Sequence, residues 1–311
     1  MSQLEYSAVR VGVVIPVLNA GEQIVSCLRP VQASGLAPMI LVVDSSSWDD
    51  TRLLAKDMGA DVVSIPQSEF NHGGTRQLAA EILNDCDIIV YLTQDAMLSA
   101  PDVLQRIVSV FDDKAVGVAY GRQLPHQDAG PIAAHARLFN YPDRSHSCSI
   151  ADAPRLGLKT AFTSNSFAAY RREALMAVGG FPSDVILSED MVVAARMLLS
   201  GWKVAYCAEA MVYHSHDYTL LQEFRRYFDI GVLHAREAWL LEKFGKPEGE
   251  GKRFVLSELA YLRKRAPWLI PSAVVRTVLK YLGYRLGRFE RYLPSIIKPT
   301  LSMHRNYWGN Q

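Results

Sequence analysis

The chain has 311 residues, of which 49% are hydrophobic and 21% charged, a balance that excludes global disorder, a collagen and a small disulfide scaffold. Its length suits one large domain or two modest ones. The net charge is +1, so the whole molecule has no bias toward acidic partners, yet Lys252 to Tyr292 carries ten Lys/Arg against two Asp/Glu. That segment stands at +8 and the remainder at −7, a neutral-to-acidic body with a basic end.

In chain order, Val11–Pro16 reads as a buried strand, followed by a helix over Gly21–Ala33. Met39–Asp44 is a second strand and Asp49–Met58 a second helix; Asp61–Pro66 is a third strand and Thr75–Leu83 a third helix. Asp87–Thr93 is a fourth strand, and a helix over Asp102–Phe111 leads into a strand at Val116–Gly121. This alternation predicts a Rossmann-like α/β fold with a doubly wound, mostly parallel sheet. Apolar runs without period-two alternation fit strands covered on both faces.

From Gln123 to Arg155 prolines, histidines and aspartates break the pattern, and a long loop is expected there. Thr160–Tyr170 is strand-like, Arg171–Val178 helical and closed by Gly179-Gly180, and Lys203–Cys207 a short strand. Ser188 is expected to cap a helix running to about Leu199, with Glu189 and Asp190 in its first turn. Beyond Tyr218 the chain reads as helical. The expected division is therefore a catalytic domain over 1–218 and a helical region over 219–311.

The cysteines Cys27, Cys86, Cys148 and Cys207 form no C-x-x-C pair, which predicts reduced thiols and a cytoplasmic setting. The N-terminal segment lacks the apolar stretch of a secretory signal, and no run approaches the roughly 20 apolar residues of a spanning helix.

Polar residues gather at the ends of the predicted strands. Asn19 follows the first, Asp44 closes the second, and Thr93-Gln94-Asp95 closes the fourth, while Phe70-Asn71-His72-Gly73-Gly74-Thr75-Arg76 opens the third helix. In an open α/β sheet these positions share one edge, where ligands bind. There is no G-x-G-x-x-G after the first strand and no P-loop motif, so the usual phosphate cradles are absent.

Four segments resemble family 2 glycosyltransferases of the GT-A fold: VVIPVLNAGE, VVDSSSWDDT, YLTQDAML, and SNSFAAYRREALMAVGGF with SEDMVVAARMLLSGWKVAY. They run in family order over about two-thirds of the chain. FNHGGTRQ and LTQDA further resemble the rhamnosyltransferase branch, which uses dTDP-L-rhamnose to build bacterial surface polysaccharide. The resemblance implies an inverting transfer of a sugar from a nucleotide-sugar donor to a lipid-linked or oligosaccharide acceptor. In this family a D-x-D triplet holds a divalent cation at the donor diphosphate. Here Thr93-Gln94-Asp95 matches it with the first acid replaced, so Asp95 carries the Mg2+ or Mn2+, with His214 or His216 of VYHSH as an added ligand.

The same resemblance assigns Asp190 as general base and Glu189 as its neighbour toward the acceptor. Pro16, Asn19, Asp44, Gln94 and Asp95 are expected around the nucleotide. Arg76 behind Gly73 and Gly74, at a helix start, is expected to grip the diphosphate. Asn165 and Ser166 are expected on the acceptor side and His72 near the donor loop. The basic, aromatic-rich C-terminal section suits an anionic membrane surface on the inner face of the cell membrane, with the protein peripherally attached; nucleic acid suits it less well, because the body is acidic. Two alternatives stay open at this level. One is the same family with a UDP-hexose donor. The other is a catalytically silent, membrane-tethered binding module, to which the missing first acid points.

Overall fold

The computed structural model describes residues 9–245 and 249–309. The first half is built as expected. Strands β1 (Val11–Val17), β2 (Met39–Asp44), β3 (Asp61–Ser64) and β4 (Ile88–Leu92) are mutually parallel in the order β3-β2-β1-β4. Val13, Val14, Ile15, Val42, Val43, Ile89 and Val90 have no exposed surface, as strands covered on both faces require. Helices α1 (Gln23–Gln32), α2 (Thr51–Asp57) and α3 (His72–Ile82) make the crossovers.

The sheet then changes sense. A two-residue strand β5 (Met97–Leu98) and helix α4 (Val103–Ser109) lead into β6 (Val116–Leu124), which runs three residues past its predicted end. The expected loop over 123–155 contains real elements: α5 (Pro131–Asn140), β7 (His146–Cys148) and the single turn α6 (Ala153–Leu156). Pro131 at the first helical position, with its fixed φ, accounts for the start of α5. Strand β8 (Phe167–Arg171) covers only the last part of its predicted span and inserts antiparallel between β4 and β6. Helices α7 (Arg172–Ala177) and α8 (Glu189–Leu199) precede β9 (Lys203–Tyr213), twice its predicted length. β9 pairs parallel with β6 and antiparallel with β5 and β7, so the sheet is mixed.

Ser188 does not cap α8 with its side chain; its φ of +59° turns the chain into the helix instead. Glu189, the first residue of α8 after this left-handed turn, is buried.

The C-terminal section is helical: α9 (Leu220–Arg236), α10 (Ala238–Phe244), α11 (Glu250–Arg265), α12 (Ile270–Arg288) and α13 (Lys298–Leu301). α9 opens on a capping box in which the Thr219 side chain accepts from Gln222 N and the Gln222 side chain accepts from Thr219 N. α9 and α12 cross at backbone contact, because Gly287 lies against the Phe228 carbonyl and Gly283 against that of Phe224. A Cβ at Gly287 would stand only 2.0 Å from that oxygen.

The basic cluster counted in the sequence divides in two. Arg276 and Lys280 turn inward, each with a side-chain nitrogen 3.4 Å from Glu223 Oε1, and Arg288 bonds the His234 carbonyl. Arg263, Lys264, Arg265, Arg285 and Arg291 stay exposed. All four cysteines are buried and unpaired.

Candidate active site

The loops at the C-terminal ends of β1, β2 and β4 are laced together by the polar residues found there. Gln94 spans two of them, accepting from Leu18 N at 2.9 Å and donating to the Leu18 carbonyl at 3.3 Å. Asn19, with φ +49°, donates its backbone N–H to Ser47 Oγ and accepts the Trp48 N–H on its side chain. Asp44 is fully buried and receives the Ser47 N–H on both carboxylate oxygens at 3.1 and 3.2 Å. Pro16 lies in β1 opposite Val43. The side chains of Asn19, Asp44 and Gln94 thus hold the shape of the edge around which the resemblance had placed the nucleotide.

The donor-loop glycines and Arg76 depart from expectation more sharply. α3 begins at His72, three residues early, because the Asn71 side chain caps it by accepting from Gly74 N at 2.6 Å. Gly73 is needed for packing, since a Cβ there would meet the Pro182 carbonyl at 1.7 Å; one on Gly74 would meet the Asn71 cap. The early start moves Arg76 into the second turn. Its Nη1 donates to Glu189 Oε1 at 2.7 Å and to the His72 carbonyl at 3.1 Å, with only 7% of the side chain exposed. The guanidinium expected on a diphosphate is held by a carboxylate 113 residues away.

Glu189 is corrected with it. The side chain turns into the core and Oε1 also accepts from Asn165 Nδ2 at 3.0 Å, while Asn165 Oδ1 accepts from the Tyr170 hydroxyl at 2.7 Å. Burial would raise this carboxyl, but the Arg76 charge, His72 and Asn165 together bring it below its ordinary range. Glu189 therefore faces Arg76 and Asn165 and not an acceptor.

Asp190, the next residue, points the other way and lines a cavity of about 570 Å3. Its Oδ2 accepts the Asn165 N–H at 3.0 Å and Oδ1 accepts the Met191 N–H at 2.8 Å. Burial first, and the adjacent Glu189 charge second, push its carboxyl up to about 7. A carboxylate so placed is oriented by two backbone donors and is basic enough to take a proton near neutrality.

His214 and His216 line the same cavity. Their Nε2 atoms lie 3.5 and 3.6 Å from Asp95 Oδ2, and the two rings meet edge to face at 4.6 Å. One ligand atom from each of Asp95, His214 and His216 falls within 4.8 Å of the others, the donor set of a divalent cation site. Gln123 orients the His214 ring. Its Oε1 accepts from Arg137 Nη1 at 2.5 Å, and its Nε2 donates to Ser164 Oγ at 2.9 Å. Oε1 is therefore an acceptor toward His214 Nδ1, 2.9 Å away, which leaves Nε2 as the atom turned toward Asp95. For Asp95, burial acts upward, but His214 and His216 outweigh it and hold the carboxyl well below the usual range. Burial first, with His214, Arg137 and Arg226 adding to it, brings His216 down to about 4, so the His216 ring is unprotonated near pH 7. The three residues fit a cation that accepts one oxygen and two nitrogens.

Three residues of the site have no counterpart in the sequence reading. Gln123 follows the predicted end of β6, and only the strand's extra length carries it to His214. Arg137 lies in the stretch read as a loop. Arg226 is an exposed cation on α9 that lines the cavity with Asp190, its guanidinium 5.8 Å from the centre of the Tyr218 ring. A capping box followed by an amphipathic run was a readable signal for α9, but not for which of its arginines faces inward.

A sequence model described as glycosyltransferase-like family 2 matches residues 9–228. The chain belongs to that family. It is 46% identical over 303 residues to the O-antigen chain rhamnosyltransferase RfbN of Salmonella typhimurium, covering 97% of this chain and 96% of that one. It is 51% identical over 271 residues to the O-antigen chain rhamnosyltransferase WbaN of Salmonella anatum, covering 87% and 86%. Among solved structures, the mannosyltransferase PcManGT from Pyrobaculum calidifontis, in complex with GDP-Man and Mn2+, aligns over 97% of this chain and 86% of its own with a TM-score of 0.57 at 21% identity. S. aureus TarS 1-349 in complex with UDP aligns over 91% of both chains with a TM-score of 0.51 at 14% identity. The fold is that of the GT-A glycosyltransferases, and the protein is a glycosyltransferase.

Proposed function

We propose that the protein transfers L-rhamnose from dTDP-L-rhamnose, with inversion, to a lipid-linked glycan acceptor in O-antigen synthesis. The donor sugar rests on the two Salmonella relatives, which are similar over nearly the whole chain. The reaction class rests on one observation: Asp190 and the pair His214/His216, with Asp95 behind them, front one cavity.

The nucleotide lies along the edge formed by the β1, β2 and β4 loops, whose shape Pro16, Asn19, Asp44 and Gln94 maintain. Asp95, His214 and His216 hold a divalent cation, Mn2+ or Mg2+, which supplies Lewis-acid neutralisation of the donor diphosphate. Arg226 takes the part first assigned to Arg76 and adds a positive charge at the leaving group. Asp190 accepts the proton of the acceptor hydroxyl as that oxygen attacks the anomeric carbon from the face opposite the diphosphate. Arg76 and Glu189 act through Asp190 by fixing the start of α8. Turnover measured with dTDP-rhamnose, UDP-glucose and UDP-galactose tests this reading. Preference for dTDP-rhamnose supports it, and equal turnover by Asp190→Asn overturns it.

A second feature concerns location. No helix among the described residues is long and apolar enough to cross a membrane. The outer face of α12 nevertheless exposes Val274, Val278 and Leu282, each about half accessible, continued by Phe289 and flanked by Trp268 at 72% exposure. Arg263, Lys264, Arg265, Arg285 and Arg291 are exposed in the same helical section. An apolar stripe accompanied by exposed cations suits the interface of an anionic bilayer, and attachment there would bring the cavity to a lipid-linked acceptor.

A further inference from the structure

The helical wall of the active-site cavity contains a group that the transfer chemistry does not use. Glu258 of α11 is 2% exposed and lines the cavity, yet its Oε1 has no hydrogen-bond partner. An acceptor oxygen left unmatched at such a site destabilises the fold, and a ligand carrying a donor removes that cost.

The surrounding charges define that ligand. Glu223 shares its Oε1 with Arg276 and Lys280, and Arg276 Nη1 also donates to the Tyr218 carbonyl at 2.6 Å. Both cations are thus engaged by Glu223; Glu258 formally balances the second of them, while burial pushes its carboxyl up and leaves little net negative charge on this wall. Such a wall does not select a phosphate. It asks for a neutral molecule with hydroxyl donors. Phe254 and Tyr227 line the same wall, their ring centres 5.2 and 5.6 Å from Lys280 Nζ, and give apolar surface beside the polar groups. Ionic side chains bonding hydroxyls next to aromatic carbon are the chemistry of sugar recognition.

We infer that this wall, at the seam of α9, α11 and α12, is a carbohydrate subsite that holds a non-reacting part of the acceptor glycan, with Glu258 accepting a sugar hydroxyl. The inference rests on the proposed function, because it assigns the acceptor of that same reaction. It makes the helical C-terminal section a determinant of acceptor choice and leaves donor recognition to the sheet edge.

The test uses farnesyl-diphosphate-linked glucose, galactose and mannose as acceptors, with the full-length protein. Glu258→Leu removes the acceptor oxygen at similar size, and Ser272→Val adds bulk to the same wall. For the best of the three acceptors, Glu258→Leu is expected to raise KM at least tenfold. Donor KM and the slow transfer of sugar to water are expected to stay unchanged, with thermal unfolding no lower than wild type. Ser272→Val is expected to raise acceptor KM in the same way, and it decides the matter if the first variant does not fold. Unchanged acceptor KM in a folded variant overturns the subsite while the proposed function stands. Wild-type protein that transfers sugar to none of the acceptors nor to water overturns the proposed function, and the subsite with it.

Discussion

Arg76 and Glu189, 113 residues apart, form a 2.7 Å ion pair with both side chains more than nine-tenths buried. The pair joins the second turn of α3 to the first turn of α8 and stands directly behind Asp190. Removing one partner strands the other charge in the core, which typically costs about 3–5 kcal/mol. Arg76→Met is therefore expected to lose stability of that order in urea denaturation, and Arg76→Met with Glu189→Gln to recover most of it. A diphosphate-gripping Arg76 would behave differently: Arg76→Met would unfold like wild type and lose only donor affinity.

Asp190 is expected to set the acid limb of activity. Its carboxyl is raised to about 7 by burial and by Glu189, so the basic form is populated only as pH rises through that region. Transfer rate at saturating substrate is expected to climb from pH 5.5 to 8 with a midpoint near 7. Asp190→Asn is expected to fall by about 10²–10⁴-fold and to lose the limb. Stability runs the other way. A raised carboxyl favours the fold while protonated, and this contribution is lost as pH rises from the unfolded value of 3.8 through about 7. Asp190→Asn is accordingly expected to match wild type in thermal unfolding at acid pH and to exceed it at pH 8.

Gln123 acts on the cation site through the His214 ring. Loss of such an orienting partner typically costs 10–100-fold in metal affinity. Gln123→Leu is expected to raise the Mn2+ concentration for half-maximal activity within that range while leaving kcat at saturating metal close to wild type. Asp95→Asn and His214→Ala are expected to lose activity that added metal does not restore, and chelation to silence the wild type reversibly. A Gln123→Leu enzyme with an unaltered Mn2+ titration would remove Gln123 from this role.

The exposed cations at the end of α11 are expected to carry membrane attachment. Each basic side chain near an anionic surface contributes about 1 kcal/mol, so replacing Arg263, Lys264 and Arg265 by Gln is expected to weaken partitioning onto phosphatidylglycerol vesicles by roughly 10²-fold. Val278→Asp on the apolar stripe is expected to have a comparable effect that salt does not mimic. Equal sedimentation of wild type and both variants with vesicles would show that this face does not meet the bilayer.

The βα half of the fold was readable because its information is local. Strands of β-branched residues without alternation lie buried on both faces, and β1 to β4 begin and end within a few residues of prediction. Asp190 and His214, singled out by the motifs, both line the cavity, each standing where a helix begins or a strand stops. The stretch over 123–155 was misread because its apolar residues are matched by α11 and β9, far along the chain, so their spacing carries little signal.

Periodicity of the chain determined the parallel half-sheet, and the resemblance of its motifs gave the family and singled out an acid and a histidine, because those features lie in residues adjacent in sequence. Only the tertiary structure decided which charges face the cavity. A three-residue shift in the start of α3 turns Arg76 into the core, Glu189 after the left-handed Ser188 is buried with it, and the α9–α12 crossing points Arg276 and Lys280 inward. Each outcome depends on partners more than fifty positions away, with which burial must pair a charge whose own neighbours in sequence leave it unmatched.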